Sequence, residues 1–495
     1  MSIRPPDTTP ALPPKRQRRI VLGLMMGVAL SSLDSMVVAT ALPTIAGDLG
    51  GLSQIAWIVI AYAVATTAVI PLYGKLSDVF GRRPIFLLAI ILFIVGSVWS
   101  GLAQNLPELI GARALQGLGG GGLIGLAQTV IGDVVPPRER GRYQGYIGVV
   151  VALMSIIGPS VGGIVTDAFS WRWIFLANLP LGLIAMISTS RVLRGAPQQR
   201  VRHSIDYLGS VLLLLFVVPL VLGLFRVPDA GLADPVTIAL LGSGVLFLGA
   251  FLWRQLVARE PIMSLSLFRL PDFRRASLAG FCVGLATAGI TLYFPLLLQT
   301  VKGLSAAESG LLFIPQSLSL MAMNLVCGRI ISRTGRYKAV LVAGLFTLAA
   351  SAALLALLPG DAPVWPYVIG IVLFGVGIGC STPVLMLVVQ NAVGPDQLGV
   401  ATATLAFTRS MGTTLGTAVF GTITTAVLVS RLGSGTDYLS AAPSDVAALP
   451  PALRDAVLSG ITDAVGAVFA VSIPIGIAAA VLALAIRETP LRARV

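Results

Sequence analysis

Long apolar runs separated by short polar knots set the pattern of this chain. Fourteen such runs lie near 19–41, 54–76, 84–103, 107–133, 142–166, 172–195, 206–226, 235–256, 274–300, 307–333, 336–358, 365–391, 399–430 and 462–486. A helix needs roughly 20 mostly apolar residues to cross about 30 Å of hydrocarbon. Strands of a membrane barrel would instead alternate over about ten residues. These runs are long and continuous, so the pattern predicts an all-α integral membrane protein with fourteen transmembrane helices. The densest knot reads Gly74-Lys75-Leu76-Ser77-Asp78-Val79-Phe80-Gly81-Arg82-Arg83-Pro84. So short and charged a stretch is expected to be a tight aqueous loop between runs 2 and 3. A faint echo of it stands at Gly328–Lys338, 254 residues later. At the same offset, Gly145, Gly158 and Gly162 fall on Gly399, Gly412 and Gly416. A shift of one further helical turn aligns Gly141 with Gly399 instead, and the sequence leaves both registers open. The echoes predict two pseudo-symmetric six-helix bundles, repeated about an axis normal to the membrane. Runs 7 and 8 have no echo and are expected to be a two-helix insertion.

Composition sharpens this reading. Of 495 residues, 56% are hydrophobic and 11% charged, with mean hydropathy +0.91. A soluble domain carries about 25% charged residues. The net charge of +13 invites a nucleic-acid reading, but topology accounts for it. Of 34 Lys and Arg, 27 fall in the tails and the even-numbered turns, five on the opposite side and two inside runs. That bias obeys the positive-inside rule. It places both termini in the cytoplasm and leaves no basic surface for nucleic acid. Cys282, Cys327 and Cys380 lie in or beside runs, in odd number and without loop spacing, so neither disulfides nor a metal site are expected. The basic stretch before run 1 lacks a cleavage site, so run 1 reads as an uncleaved helix. The expected division is a tail at 1–18, a first bundle at 19–195 and a connector with inserted helices 7 and 8 at 196–256. A second bundle follows at 257–486, with an external loop at 431–461, and then a tail at 487–495.

A few polar residues inside the runs carry candidate chemistry. Asp34 is the one acidic residue deep in an apolar stretch. A charge there costs roughly 2.5–3.5 kcal/mol on insertion scales. It is therefore either protonated much of the time or met by a partner or water. Burial raises a carboxyl's affinity for a proton and a nearby cation lowers it; a group balanced between the two suits a proton carrier. Arg113 and Arg409 are the two basic residues inside runs. Gly117, Gly121 and Gly125 have the spacing of a helix-packing face. The Gly-x-Gly-x-x-Gly within 117–122 follows no strand, so a dinucleotide loop is not expected. Trp57, Tyr62, Gln128, Tyr293, Gln299, Gln316, Asn324 and Arg409 are the candidates for a substrate cavity. Aromatics with few ionic groups suit amphipathic, often cationic, molecules. His203, the sole histidine, falls in the connector. There is no His-Glu-x-x-His, no phosphate-binding Gly-x4-Gly-Lys-[Ser/Thr] and no catalytic cluster, so an enzyme is not expected.

Five motifs in order carry a family resemblance. They are Leu33-Asp34-Ser35 through Ala41-Leu42-Pro43, the 74–84 knot, Arg113-x2-Gln116-Gly117, Gly158-Pro159-Ser160-Val161-Gly162-Gly163, and Trp171-Arg172-Trp173-Ile174-Phe175 through Asn178-Leu179-Pro180. The chain resembles the major facilitator superfamily, and within it the fourteen-helix drug:proton antiporters, which include bacterial multidrug exporters. It departs in having Met154 where the antiporter motif usually has glycine; Ser332, where the first half has Asp78, is a difference common in the family. The resemblance implies a proton-coupled exporter of hydrophobic or amphipathic drug-like compounds, working by alternating access in the plasma (inner) membrane. It implies a monomer in membrane lipid, with no cofactor. Asp34 and Arg113 would then couple protons. Gly74, Asp78, Gly81, Arg82, Arg83 and Asp133 would form a gating loop. In it Asp78 would cap run 13 near Pro395–Gly399, and Arg82 or Arg83 would latch to Asp133. Gly158, Pro159, Gly162 and Gly163 would let helix 5 rock. An exporter of an endogenous lipid or natural product would share every motif.

Overall fold

The computed structural model describes residues 13–49, 56–194, 206–258, 261–304, 306–394, 397–432 and 449–489. The first twelve residues, the connector 195–205 with His203, residues 433–448 of the long loop and the last six residues lie outside the described residues. Among the described residues every regular element is helical. The fourteen main helices are α1 (Pro14–Leu49), α2 (Ala56–Phe80), α3 (Arg82–Leu102), α4 (Leu106–Val134) and α5 (Pro137–Ala168). Then come α6 (Arg172–Val192), α7 (Tyr207–Ala230), α8 (Pro235–Val257), α9 (Pro271–Leu296) and α10 (Phe313–Thr334). The last four are α11 (Lys338–Leu357), α12 (Val364–Ala392), α13 (Leu398–Leu432) and α14 (Pro451–Leu484). Thirteen are long and apolar enough to cross a membrane. The other, α5, runs for 32 residues, about 48 Å at 1.5 Å per residue. Each of the fourteen apolar runs lies on one of these helices. This is a multi-pass membrane protein.

The sequence punctuates these helices locally. Asn105 caps α4 by accepting from the Glu108 backbone N–H at 2.9 Å, while Glu108 accepts from Gln104 N–H at 3.0 Å. The first bond satisfies a donor that the helix start leaves free, and the second ties the preceding residue to the first turn. Asp234 caps α8, accepting from Thr237 N–H and from Arg226. Gly335 ends α10 with φ 70°, a left-handed cap that a side chain rarely adopts. Two boundaries differ from the sequence expectation. Residues 74–80 are not an aqueous loop but the last turns of α2. The turn into α3 is the single residue Gly81, at φ 93°. α14 begins at Pro451, so the end of the expected external loop is helical as well.

The two halves pack in the same pattern. In the first, α1 lies on α5, α6 and α4, while α4 lies on α2 and α3, and α3 on α6. In the second, α9 lies on α13, α14 and α12, while α12 lies on α10 and α11, and α11 on α14. Across the halves α2 meets α13 and α5 meets α10. Gly74 faces the Gly399 carbonyl in one seam, and Gly328 faces the Gly141 carbonyl in the other. Of the two registers left open by the sequence, these contacts match Gly141 with Gly399. The α7–α8 hairpin packs mainly on α2 and α13, through α7, at one seam.

Helix α4 owes its position to glycine. A Cβ on Gly117 or Gly121 would strike the Tyr62 or Thr66 carbonyl of α2, and one on Gly119 would strike Phe93 and Ala89 of α3. Small residues here let three backbones approach closely, as helix packing in lipid requires. Two of the three cysteines also meet. The Cys327 and Cys380 sulfurs are 3.4 Å apart between α10 and α12, and both remain thiols. At the end of α1, past its apolar stretch, Asp48 accepts from Trp171 Nε1 at 2.9 Å and from Arg172 Nη1 at 2.7 Å. Arg172 also reaches the Ala103 carbonyl, so α1, α3 and α6 are tied at that end.

Two outcomes follow from this packing. Gly119→Ala should lower the thermal unfolding midpoint in detergent by the equivalent of about 1–3 kcal/mol, the usual cost of overpacking. Gly249→Ala, with open space at the α8 surface, should hold or raise it, since alanine favours a helix by up to ~1 kcal/mol. The Trp171 hydrogen bond, then Arg172, holds the Asp48 carboxyl below its ordinary value of 3.8. A depressed carboxyl contributes stability above its unfolded pKa and loses it as pH falls through the lower folded value. The wild type should therefore melt above Asp48→Asn at pH 7, and the gap should close only below about pH 4.

Candidate functional site

At the basic end of the molecule, the 74–84 segment forms the contact between halves. Asp78, 6% exposed, sits against Gly399 in the first turn of α13. An anion there is favoured by the helix's N-terminal partial charge. Arg82 pairs with Asp78 at 2.6 Å and with Asp133 at 2.7 Å, and also bonds Ser77. Arg83 turns away to Ser190 at 2.8 Å. The Asp133 latch is therefore Arg82's, and both partners belong to the first half. What crosses between halves is Asp78 on α13, together with Gly74, where a Cβ would come within 2.5 Å of Ala403 Cβ. The other seam is equally close. Gly145 and Gly148 of α5 lie against Asn324 of α10, and Gln390 of α12 donates to the Gln128 carbonyl of α4 at 3.1 Å. These contacts close the basic end.

Deeper in the first half lies a buried polar centre. Asp34 and Arg113 are each 2% exposed, and Arg113 Nη1 donates to Asp34 Oδ2 at 2.7 Å. Asp34 Oδ1 accepts from Gln116 Nε2 at 2.8 Å and from Asn178 Nδ2 at 2.9 Å. Gln116 Oε1 accepts from Arg113 at 2.7 Å. Ser97 Oγ takes hydrogen bonds from both amides and donates to the Phe175 carbonyl. The Arg113 guanidinium also lies 4.2 Å from the centre of the Tyr62 ring. Five helices thus share one charge pair: α1, α2, α3, α4 and α6. Sequence reasoning joined Asp34 to Arg113. It missed Ser97, and did not assign Gln116 and Asn178 to the carboxylate, although both stood in quoted motifs.

Beside this centre is a cavity of about 370 Å³ between the first half and α13, within the usual size of a small-molecule site. Of the residues named from sequence, Tyr62, Gln128 and Arg409 line it; so do Ser31, Thr66 and Ser410, which sequence reasoning did not name. Asp34 does not line it but stands behind Tyr62 and its Ser31 partner, whose oxygens are 3.2 Å apart. The remaining cavity candidates belong elsewhere. Asn324 fills the α5–α10 seam, and Tyr293 is buried in the core of the second half. Gln299 lies on a π turn, Leu297–Val301, that follows α9. Gln316 supplies a carbonyl to Ser319, and Trp57 is half-buried near the start of α2. In the glycine motif of α5, Gly158 abuts Met36 of α1, Gly162 is buried and Gly163 has open space around it. The Pro159 side chain lies outside the described residues.

The Major Facilitator Superfamily model matches residues 24–417. The chain belongs to that superfamily. As a member it is a transporter and not an enzyme. It is 34% identical over 441 residues to the multidrug transporter protein MdtP of Bacillus subtilis (strain 168), covering 88% of this chain and 81% of that one. With the multidrug resistance protein 3 of the same organism it shares 32% identity over 462 residues, 90% and 89% of the two chains. Its fold is that of the solved proton:xylose symporter XylE, at TM-score 0.66 and 13% identity, over 96% and 98% of the chains.

The buried pair generates a stability test. Asp34→Ala leaves Arg113 buried without its counter-charge and should cost about 3–5 kcal/mol. The double variant Asp34→Ala/Arg113→Met should recover much of that loss. Thermal unfolding of the wild type, Asp34→Ala, Arg113→Met and the double variant checks the coupling; additive losses would mean that the pair is not a unit.

Proposed function

We propose that this superfamily member is a proton-coupled exporter of small hydrophobic or amphipathic compounds. It would sit in the plasma membrane with its basic end in the cytoplasm. The observation that carries the reading is Asp34: a lone deep carboxylate, held by Arg113 and two amides, one side chain behind the wall of the central cavity. The names of its relatives, a multidrug transporter and a multidrug resistance protein, support the direction of transport. The excess of Lys and Arg at one end supports the orientation.

The geometry suggests how a proton would act. Ionised Asp34 is an acceptor only, and three donors face it. A protonated carboxyl must donate one bond, so at least one amide has to turn. Protonation also removes the counter-charge of Arg113, whose guanidinium rests on the Tyr62 ring. Tyr62 lines the cavity and holds Ser31. A proton at Asp34 would therefore reshape the cavity wall through Arg113 and Tyr62. Each proton charge contributes about 2.3 kcal/mol per 100 mV of membrane potential. The closed basic end corresponds to a state accessible from the opposite side.

Reconstitution in liposomes with an imposed pH gradient tests this. Wild type should move protons and an amphipathic fluorescent substrate in opposite directions, and Asp34→Asn should lose the pH dependence. Normal coupling in Asp34→Asn would remove Asp34 from the mechanism. Substrate movement indifferent to the gradient in wild type would end the antiporter reading.

A further inference from the structure

We infer that the molecule carried by this cavity is an amphipathic acid, whose oxyanion is received by Arg409. The inference rests on the transport reading above and names its substrate class. Arg409 sits midway along α13 and lines the cavity. Its guanidinium has no ion pair and no hydrogen-bond partner among the described residues; the one side-chain hydrogen bond to this residue is from the Thr413 hydroxyl to its backbone carbonyl. Charged side chains inside a membrane protein ordinarily pair or face a pathway. Arg113 shows the paired case in this same chain, its Nη1 donating to both Asp34 and Gln116. Arg409 shows the other.

The rest of the lining agrees. Among the described residues, no acidic side chain lines the cavity. The nearby carboxylate, Asp34, accepts three hydrogen bonds and lies behind the wall, so no free negative charge awaits a cation. The sequence-based case for a cationic cargo rested on aromatic faces. Among the described residues Tyr62 is the one aromatic in the lining, and the Arg113 guanidinium already lies against its ring. Hydroxyls of Ser31, Ser35, Thr66, Ser410 and Thr413 edge the space. Those of Ser35, Thr66 and Thr413 donate to backbone carbonyls. Those of Ser31 and Ser410 pair with the Tyr62 and Thr67 hydroxyls, and in each pair either can donate. Ser31 and Ser410 are thus the ones able to turn a hydrogen to a carboxylate, sulfonate or phosphate. Within the lining, the Ser32 hydroxyl has no hydrogen-bond partner and can donate to an oxyanion, whereas the unpartnered Gln128 Oε1 can only accept and suits a polar donor elsewhere on the cargo. The remaining surface is mostly apolar and suits a hydrocarbon body. A guanidinium forks onto an oxyanion with two parallel hydrogen bonds, which a lysine ammonium cannot reproduce.

The test uses two probes with one body and opposite heads, 11-(dansylamino)undecanoate and 11-(dansylamino)undecyltrimethylammonium. Their binding to the purified full chain is followed by dansyl fluorescence without any gradient. Wild type should hold the carboxylate at least about tenfold more tightly than the ammonium, the effect of one good charged contact. Arg409→Gln should erase that preference, by weakening the carboxylate while leaving or strengthening the ammonium. Arg409→Lys should keep the sign of the preference and reduce its size. Tighter binding of the ammonium by wild type, or an unchanged preference in Arg409→Gln, overturns the inference. Should Arg409→Gln fail to fold, the wild-type preference and Arg409→Lys still decide it. Competition by oleate or by phosphatidate separates a free acid from a lipid headgroup, and displacement by dodecyltrimethylammonium instead counts against both. Arg409-dependent carboxylate binding without gradient-driven export would uphold the substrate class and sink the exporter reading. Gradient-driven export of the ammonium, unaffected by Arg409→Gln, would do the reverse.

Discussion

Hydrocarbon offers a polar group no partner, and every other feature of this molecule answers to that constraint. The backbone meets it by becoming helix nearly everywhere. The hydroxyls of α13 meet it locally: Thr404, Thr408, Thr413, Thr417, Thr422 and Thr424 each bond the carbonyl one turn back. Charges need partners from farther away. Asp34 finds Arg113, Gln116 and Asn178 on two other helices, and Arg82 gathers Asp78 and Asp133. Where the constraint goes unmet, at Arg409, the helices enclose a cavity instead of a side chain.

The same constraint decides what could be read from the chain. Apolar runs announce helices because length and continuity are local properties, and all fourteen runs lie on helices. The 74–84 knot misled because its charges look aqueous in isolation. They are tolerated at the adjoining ends of α2 and α3 since Asp133, 51 residues beyond Arg82, and the start of α13 come to meet them. Gln116 stands three residues from Arg113, one helical step, and was within reach of inspection. No spacing links Asp34 to Ser97 on α3 or Asn178 on α6. The cavity was the least legible layer. Asn324 and Gln128 are alike as sequence, both amides in apolar runs. What separates them is whether the facing helix presents glycine, as Gly145 and Gly148 do to Asn324, or leaves space.

The closed end is held in a way that suits a moving part. Its cross-half contacts are mostly glycine against backbone: Gly74 on Gly399, Gly328 on Gly141 and Arg142, Gly145 on Asn324. Such contacts are individually weak and collapse with a small increase in distance. The strong ion pairs, by contrast, lie inside the first half: Asp34 with Arg113, and Arg82 with Asp78 and Asp133. Rigidity is thus placed within a bundle and compliance between bundles.

The α7–α8 hairpin adds an asymmetry to this machine. Twelve helices related by a pseudo-two-fold would swing open along two equivalent hinges. Here one hinge, between α2 and α13, bears a two-helix passenger, while the other, between α5 and α10, bears no such pair. The passenger touches both leaves of its hinge. Any swing must drag it with one leaf and shear it past the other, so the two hinges meet unequal friction from protein and lipid. The twofold symmetry of the resting fold is therefore not inherited by the motion.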